Sequence, residues 1–190
     1  MSEQPQPAES GSGPFLERRY SVEIEGAPCT AEELLETIGT HLGELAPGLF
    51  AEFEKTRGSP DELRAGDELF IRILGPWNGS VRVCETTREA FELETLEGHP
   101  EAGRIRFWVE PLDGAAGGLR FVIRSRARSR DGLVALAYGT LGIGKAVQEQ
   151  MWTMFCRNVV ARSGGRQRGE IHVVTDERDA PEEPAEHHTR

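Results

Sequence analysis

A series of alternating strands followed by one long helical segment is the feature that most constrains the fold of this chain. Five segments between residues 68 and 126 alternate apolar with polar side chains, as strands with one buried face do. Short turns separate these segments, so neighbouring strands are expected to pair antiparallel. Residues 134–162 then form the longest helical pattern, whose apolar stripe has to be buried against the sheet. The sequence therefore predicts an α+β fold, with a curved antiparallel sheet wrapped around a long C-terminal helix.

The long helix has a loose beginning and a regular second part. Glycines at positions 139, 142 and 144 disfavour helix, so we expect the regular part to begin near Gly144. The stripe that follows repeats at four-residue spacing and consists of Val147, Met151, Phe155 and Val159, with Trp152 beside it. The pair Gly164-Gly165 is expected to end the helix.

The part of the chain before the sheet predicts one strand and two helices. Residues 20–25 alternate as a strand does, and Thr30 and Glu33 have the spacing of a capping box at a helix start. One face of that helix carries Leu34, Ile38, Leu42 and Leu45. A second, short helix is predicted over residues 49–57, with Leu49, Phe50 and Phe53 directed inward. Near the C-terminus, residues 170–175 predict a short added strand.

The two ends of the chain differ in composition from its middle. Residues 1–14 are rich in Pro, Gly, Ser and Gln, and residues 176–190 are acidic and contain proline, so both are predicted to be disordered. Residues 15–175 remain as a single domain. The N-terminal residues lack the basic and apolar regions of a signal peptide, and the three cysteines suit reduced thiols, so we expect a cytoplasmic location.

Charge and motif content argue against several classes of function. With 22 basic and 32 acidic residues the net charge is −10, which disfavours nucleic-acid binding through phosphate neutralisation. No stretch approaches the roughly 20 apolar residues of a membrane span. The glycine-rich segment at residues 139–145 resembles a phosphate-binding loop, but Ala146 replaces the hydroxyl residue that such a loop needs for Mg²⁺. We therefore predict no cofactor and no metal site.

A short motif between two predicted strands resembles a family of unknown function found in bacteria and plants. The motif is GHPEAG at residues 98–103, followed by a strand RIRFWVE and then by IRSRARS at residues 123–129. Gln148 and Gln150 stand near the start of the long helix, where members of that family carry a Gln. The likeness covers about half of the chain. It implies a helix-grip fold like that of the START and birch-pollen-allergen superfamily, whose members bind hydrophobic ligands or cyclise polyketides.

His99 and Glu101 within this motif are the candidates for a catalytic pair. Pro100 fixes its own backbone and extends that of His99, so the turn is expected to be rigid. An imidazole that titrates near neutral pH, beside a carboxylate that can orient it, suits acid–base catalysis. The alternative is a tight strand connection in which Glu101 accepts backbone amides and Gly98 and Gly103 supply unusual dihedral angles.

Large side chains on both sides of the predicted interface could line a cavity between the sheet and the long helix. The predicted ligand-binding residues are Trp77, His99, Tyr138, Met151 and Trp152. Phe107 and Phe155 are instead expected to belong to the ordinary core.

Arginines at alternate positions of two strands permit two interpretations. They are Arg104, Arg106, Arg120, Arg124, Arg126 and Arg128. Together they suit either an anion site or a solvated outer face of the sheet. Acidic residues on neighbouring strands favour the outer face with ion pairs between strands, and these are Glu92, Glu94 and Glu110.

Three functions are compatible with these patterns. The first is binding of a small apolar or amphipathic molecule in a cavity between the sheet and the C-terminal helix. The second is a cyclase- or hydrolase-type enzyme that uses the same cavity, with His99 and Glu101 as its acid and base. The third is a protein-binding role for the acidic tail or for the basic strand edge, without a ligand.

Overall fold

The computed structural model describes residues 3–73, 78–113, 118–131 and 143–178. Within these ranges the strands are β1 (Ser12–Glu25), β2 (Ala51–Arg57), β3 (Glu68–Ile73), β4 (Gly79–Thr86), β5 (Ala90–Thr95), β6 (Glu101–Pro111), β7 (Leu119–Ser129) and β8 (Arg166–Arg178). The α-helices are α1 (Ala31–Thr40), α2 (Leu42–Leu45) and α3 (Ile143–Ser163). The strands form one antiparallel sheet in the order β2-β3-β4-β5-β6-β7-β1-β8. The α+β fold predicted from the sequence is confirmed.

The helix α3 covers the inner face of the sheet, as the apolar stripe predicts. Its buried side chains include Met151, Phe155 and Val159 of that stripe, and Trp152 is buried beside them. It runs from Ile143 to Ser163, which agrees with a regular part that begins near Gly144. Residues 134–142, the predicted loose beginning, lie outside the described residues.

Rows of paired residues across three central strands define the inner face. One row consists of Arg18, Ser125 and Ile105, and the next consists of Tyr20, Ile123 and Phe107. Because directly paired residues of antiparallel strands project to the same side, each row presents its side chains to α3. Phe107, which was predicted to be core, is fully buried and stacks on Phe91 with 4.7 Å between ring centroids.

The first helix forms as its capping residues predict. The Thr30 hydroxyl accepts the Glu33 amide, and the Glu33 carboxylate accepts the Thr30 amide in return, which is a complete capping box. The four predicted inward residues Leu34, Ile38, Leu42 and Leu45 are all buried. The helix is interrupted at His41, so Leu42 and Leu45 lie in the separate short helix α2.

The prediction of a short helix over residues 49–57 is wrong, because Ala51–Arg57 is strand β2. Glu52, Glu54 and Lys55 have high intrinsic helix propensity, but pairing with β3 along the whole segment outweighs that preference. Leu49, predicted to point inward, is 73% exposed. The pattern has the strand period of two, since Ala51 is buried and Phe53 half-buried while the residues between are exposed.

The N-terminal residues were expected to be disordered, but in the structure residues 3–14 are ordered against the sheet. Pro5 forms a β-bridge with Leu96, a 3₁₀ turn covers Ala8–Ser10, and β1 begins at Ser12. At the other end, the short strand predicted over residues 170–175 extends over Arg166–Arg178 as β8. It pairs antiparallel with β1, and it includes the first residues of the segment expected to be a disordered tail.

The outer face of the sheet carries the ion pairs that the arginine pattern predicts. Arg104 pairs with Glu92 and Glu94, and Arg120 pairs with Glu110, in agreement with the sequence analysis. Further pairs join Arg120 to Glu23, Arg106 to Glu85 and Glu92, and Arg124 and Arg126 to Glu17. The arginines named here thus have carboxylate partners on neighbouring strands, as the interpretation of a solvated outer face with ion pairs predicts.

Two negative findings apply to the residues that the structure describes. No helix among them is long and apolar enough to cross a membrane. No cluster of three or more His, Cys, Asp or Glu side chains within those ranges has the arrangement of a metal site.

Candidate functional site

A buried polar cluster connects the sheet to α3. An Arg18 Nη1 lies 3.5 Å from a Glu101 carboxylate oxygen, and the side-chain amide of Gln148 donates to the other carboxylate oxygen at 2.9 Å. The same Arg18 nitrogen donates to the Gln148 side-chain oxygen, which closes the triangle. The Arg18 side chain is only 6% exposed and that of Glu101 is 19% exposed. Charged groups withdrawn from water to this extent need such partners.

Strand alternation and helix periodicity bring the three residues together. Arg18 is two residues before Tyr20 on β1, so it continues the row of side chains that faces α3. Glu101 is the first residue of β6, and Gln148 lies in the first two turns of α3. Burial raises the pKa of the neighbouring Tyr20 to about 12, although the positive charge of Arg18 opposes this shift. The phenol is therefore neutral at physiological pH.

The GHPE turn, residues 98–101, places His99 on the inner side of the sheet. A Cβ atom on Gly79 would lie 2.4 Å from the imidazole Cδ2, so the ring covers this glycine, which pairs with the inward-facing Ile71 of β3. The ring Nδ1 lies 3.0 Å from both the backbone nitrogen and the carbonyl oxygen of Glu101, so this nitrogen is engaged by the backbone of the turn in either neutral tautomer. The side chain is buried, and burial lowers the pKa of His99 below 6.5 despite the opposing charge of Glu101.

The N-terminal residues hold the GHPE turn through the side chain of Gln6. The Gln6 side-chain amide donates to the carbonyl oxygens of His99 and Glu101, both at 2.9 Å, and its oxygen accepts the Gly98 amide at 3.2 Å. In addition, the Arg130 amide donates to the Pro100 carbonyl at 2.8 Å. The turn that delivers Glu101 to the cluster is thus fixed at several backbone atoms.

Aromatic side chains lie next to the polar cluster along α3 and β6. Trp152 is one helical turn beyond Gln148 and meets Phe107 edge-on, with 5.7 Å between ring centroids. Phe155 contacts Trp152 at 5.6 Å and Phe107 at 6.0 Å. The side chains of the inner face therefore change from charged to aromatic within about one helical turn. A surface that suits an amphipathic molecule has this combination of groups.

The structure places the predicted site residues in different surroundings. His99 and Glu101 lie close together, but the His99 ring contacts the backbone of Glu101, whereas the Glu101 carboxylate contacts Arg18 and Gln148. Met151 and Trp152 are buried on the sheet-facing side of α3. Trp77 and Tyr138 fall outside the described residues.

Sequence analysis missed Arg18 and did not assign Gln148 to the site. Arg18 lies in ERRY, just before the segment predicted as a strand, and extending the alternation of that segment by two residues places Arg18 on the inner face. Gln148 was noted only as part of the resemblance. Its polar side chain lies one turn before the apolar stripe, where it reaches a charged strand residue.

A separate groove lies at the opposite end of the sheet. It has a volume of about 480 Å³ and lies between α1, the connection of β2 to β3 and the turn of β4 to β5. Its lining mixes apolar residues such as Leu35 and Leu63 with Glu32, Glu62 and Arg88. Arg88 pairs with Glu32, so part of the charge of the groove is already neutralised. None of Arg18, Glu101 and Gln148 lines this groove.

Comparison with protein families identifies the chain. The family model described as a domain of unknown function, DUF1990, matches residues 49–159, which is more than half of the chain. The protein belongs to the DUF1990 family. The matched segment of this DUF1990 protein contains Glu101 and Gln148, whereas Arg18 lies on β1 outside it. No curated protein matches the chain.

Solved structures show that the DUF1990 protein has a helix-grip fold. A hypothetical protein of Helicobacter pylori superposes with a TM-score of 0.52 and 13% identity, covering 76% of this chain and 86% of the other. A point mutant of norcoclaurine synthase from Thalictrum flavum, in complex with a transition-state analogue, gives a TM-score of 0.50 and 11% identity, covering 80% and 98%. At such low identity these similarities establish the architecture alone.

The burial of neutral His99 predicts a stability loss in mild acid. In the unfolded chain a histidine takes up its proton near pH 6.5, whereas His99 in the folded DUF1990 protein does so only at lower pH. Below pH 6.5 the unfolded state therefore binds more protons, and the free energy of unfolding falls by up to about 1.4 kcal/mol per pH unit. Urea unfolding at several values between pH 7 and pH 5.5 measures this slope.

The matched variant for this prediction is His99→Asn. Its side-chain amide has both an acceptor and a donor with which to replace Nδ1 at the Glu101 backbone, but it does not titrate. We expect a smaller slope for His99→Asn than for the unchanged protein over the same range. Equal slopes in the two proteins would show that His99 does not control the acid response.

Proposed function

We propose that this DUF1990 protein binds a small apolar or amphipathic molecule between the inner face of the sheet and α3. The observation that carries the proposal is the buried cluster of Arg18, Glu101 and Gln148 beside the aromatic residues of the same interface. A mostly apolar site with a few fixed polar groups is the usual form of a small-molecule site.

The composition of the interface supports a ligand with one polar end. A buried ion pair between a sheet and a helix often stabilises a fold no more than apolar residues of similar volume would. Its presence here therefore points to a role in binding. Arg18 and Gln148 both carry donor groups, and a hydroxyl, carbonyl or carboxylate group of a ligand would find them near Glu101. The apolar part would then lie along Trp152 and Phe107.

The fold is compatible with this role. The norcoclaurine synthase that shares the helix-grip architecture is itself in complex with a small molecule, a transition-state analogue. Catalysis by His99 and Glu101 has less support than binding, because Nδ1 of His99 contacts the backbone of Glu101 and the Glu101 carboxylate is paired with Arg18. Both groups are thus engaged in holding the turn and the cluster.

Thermal unfolding with a small panel of probes tests the proposal. The panel contains decanoic acid, 1-dodecanol, 1-naphthol and 2-acetylnaphthalene, each at several concentrations. A ligand at about 100 times its Kd stabilises the folded state by about 2.7 kcal/mol, which raises the Tm of a chain of this size by about 5 to 10 °C. We expect at least one probe to produce such a rise, and native mass spectrometry to show one bound copy.

A pair of variants in α3 locates the binding. Gln148→Leu removes a member of the cluster. It should lower the affinity for a probe with a polar end group about tenfold, which is the effect of losing one hydrogen bond to a buried partner. Gln150→Leu changes an exposed glutamine two residues away and should leave the affinity unchanged. If no probe raises the Tm and the protein retains its bare mass throughout, the binding proposal is wrong.

A further inference from the structure

The indole N–H of Trp152 is a buried donor without an acceptor among the described residues. The residue is 6% exposed, and its Nε1 has no hydrogen-bond partner anywhere in the part of the chain that the structure describes. Its ring meets Phe107 and Phe155 edge-on, each at a 63° interplanar angle. Aromatic faces are only weak acceptors for an N–H group.

Such a donor is unusual because buried tryptophans normally find an acceptor. The same chain offers a direct comparison in Trp108 on the outer face, whose Nε1 donates to the Glu110 carboxylate at 3.3 Å. An unpaired buried donor costs about 1 to 3 kcal/mol, and a phenylalanine at this position would avoid that cost. The indole N–H of Trp152 therefore needs an acceptor that does not belong to the described residues.

The position of Trp152 assigns that acceptor to the site described above. The residue follows Gln148 by four positions, so both side chains lie on the same face of α3, next to each other. One end of this face meets the charged cluster through Gln148, and the other reaches the aromatic core through Phe155. In a molecule bound along this face, the part next to Trp152 would lie between the polar end and the apolar end of the molecule.

We propose that the ligand of this DUF1990 protein carries an acceptor oxygen, a carbonyl or an equivalent group, that accepts the Trp152 N–H. The inference rests on the proposed binding function and adds the chemical class of the ligand to it. Trp152 is then a specificity-determining residue, since a ligand without an acceptor at that place leaves the donor unsatisfied. Sites built around a hydrogen bond discriminate strongly against analogues that lack the partner atom.

Two isosteric probes test the inference, 2-acetylnaphthalene and 2-isopropenylnaphthalene. They differ only in a carbonyl oxygen against a methylene group, so shape and apolar area are matched. Isothermal titration calorimetry should give an affinity about tenfold higher for the ketone, equivalent to one neutral hydrogen bond to a buried donor. The carbonyl stretching frequency of the bound ketone should shift to lower values, which reports the hydrogen bond directly.

Variants of the two tryptophans assign the preference to a residue. In Trp152→Phe the affinity for the ketone should fall to that for the alkene. The affinity for the alkene itself should change little from that of the unchanged protein. Trp108→Phe removes an indole N–H from the outer face and should keep the tenfold preference. If Trp152→Phe does not fold, the probe pair and the carbonyl frequency in the unchanged protein still decide the question.

The outcomes separate this inference from the proposed function. Equal affinities for the two probes, with no frequency shift, would overturn the inference and leave ligand binding intact, with a water molecule as the partner of the indole. A preference that persists in Trp152→Phe would assign the acceptor to another donor and also overturn it. If neither these probes nor the rest of the panel bind, both proposals fail together.

Discussion

Replacing Glu101 by leucine is expected to lower the free energy of unfolding by about 3 kcal/mol, because it leaves Arg18 buried without its ion-pair partner. The value is at the low end of the range for buried pairs, since the Glu101 side chain keeps 19% of its surface exposed. Gln148 would also lose its acceptor, but its oxygen still accepts from Arg18. Urea unfolding at pH 7 measures the change.

Two controls show whether the loss arises from burial of the pair. Glu110→Leu removes a carboxylate from the outer face, where Glu110 is 39% exposed, and should cost less than about 1 kcal/mol. The double variant Arg18→Met with Glu101→Leu removes both charges and should regain at least half of the loss. If Glu101→Leu costs no more than Glu110→Leu, the cluster is not a desolvated pair.

Gly103→Ala is expected to destabilise the protein by about 3 to 5 kcal/mol, because a side chain at this position meets the backbone of β7. A Cβ atom here would lie 2.1 Å from the Arg126 carbonyl oxygen and 2.7 Å from the Ala127 Cα. The backbone has φ of 154°, a value that L-residues rarely adopt. Thermal and urea unfolding of the variant measure the loss.

The control for this variant is Gly26→Ala. Gly26 also has a positive φ, of 66°, but an added Cβ atom there would meet nothing within 4 Å. It therefore reports the conformational cost alone, about 1 kcal/mol. A loss in Gly103→Ala no larger than that of Gly26→Ala would mean that β6 and β7 can move apart, and that the motif glycine is not needed for close strand approach.

The fold was predictable from the sequence where one periodicity governs a segment. Alternation in the central strands and a stripe at four-residue spacing in α3 both reflect burial on one side, so the residue pattern alone fixes the element type. The ion pairs of Arg104 and Arg120 followed in the same way, because cross-strand neighbours on a solvated face favour opposite charges.

The prediction failed where long-range pairing decides the structure. In β2, the residues Glu52, Glu54 and Lys55 favour helix locally, and only the neighbouring β3 makes them a strand. The ordering of Gln6 depends on the backbone of a turn more than 90 residues away. A composition rule for disorder contains no such information.

In the candidate site, too, some residues could be predicted from a local pattern and others depend on long-range packing. His99 and Glu101 could be chosen from a motif, because both lie in one run of six consecutive residues. Arg18 and Gln148 could not, since their roles depend on the packing of β1 and α3 against each other. The structure also changed the interpretation of the motif: its carboxylate reaches the helix, whereas its imidazole supports the turn.

The position of β1 between β7 and β8 has a consequence for synthesis of the chain on the ribosome. Glu23 of β1 meets Arg120 of β7 across 97 residues, and Glu25 meets Arg166 of β8 across 141 residues. At ordinary translation speeds these partners emerge roughly 5 to 20 s and 7 to 28 s after β1, respectively. Throughout that interval a strand with an apolar side remains exposed at both edges, open to chaperones and to pairing with other chains. The nascent protein can complete its sheet only after α3 and β8 have left the exit tunnel.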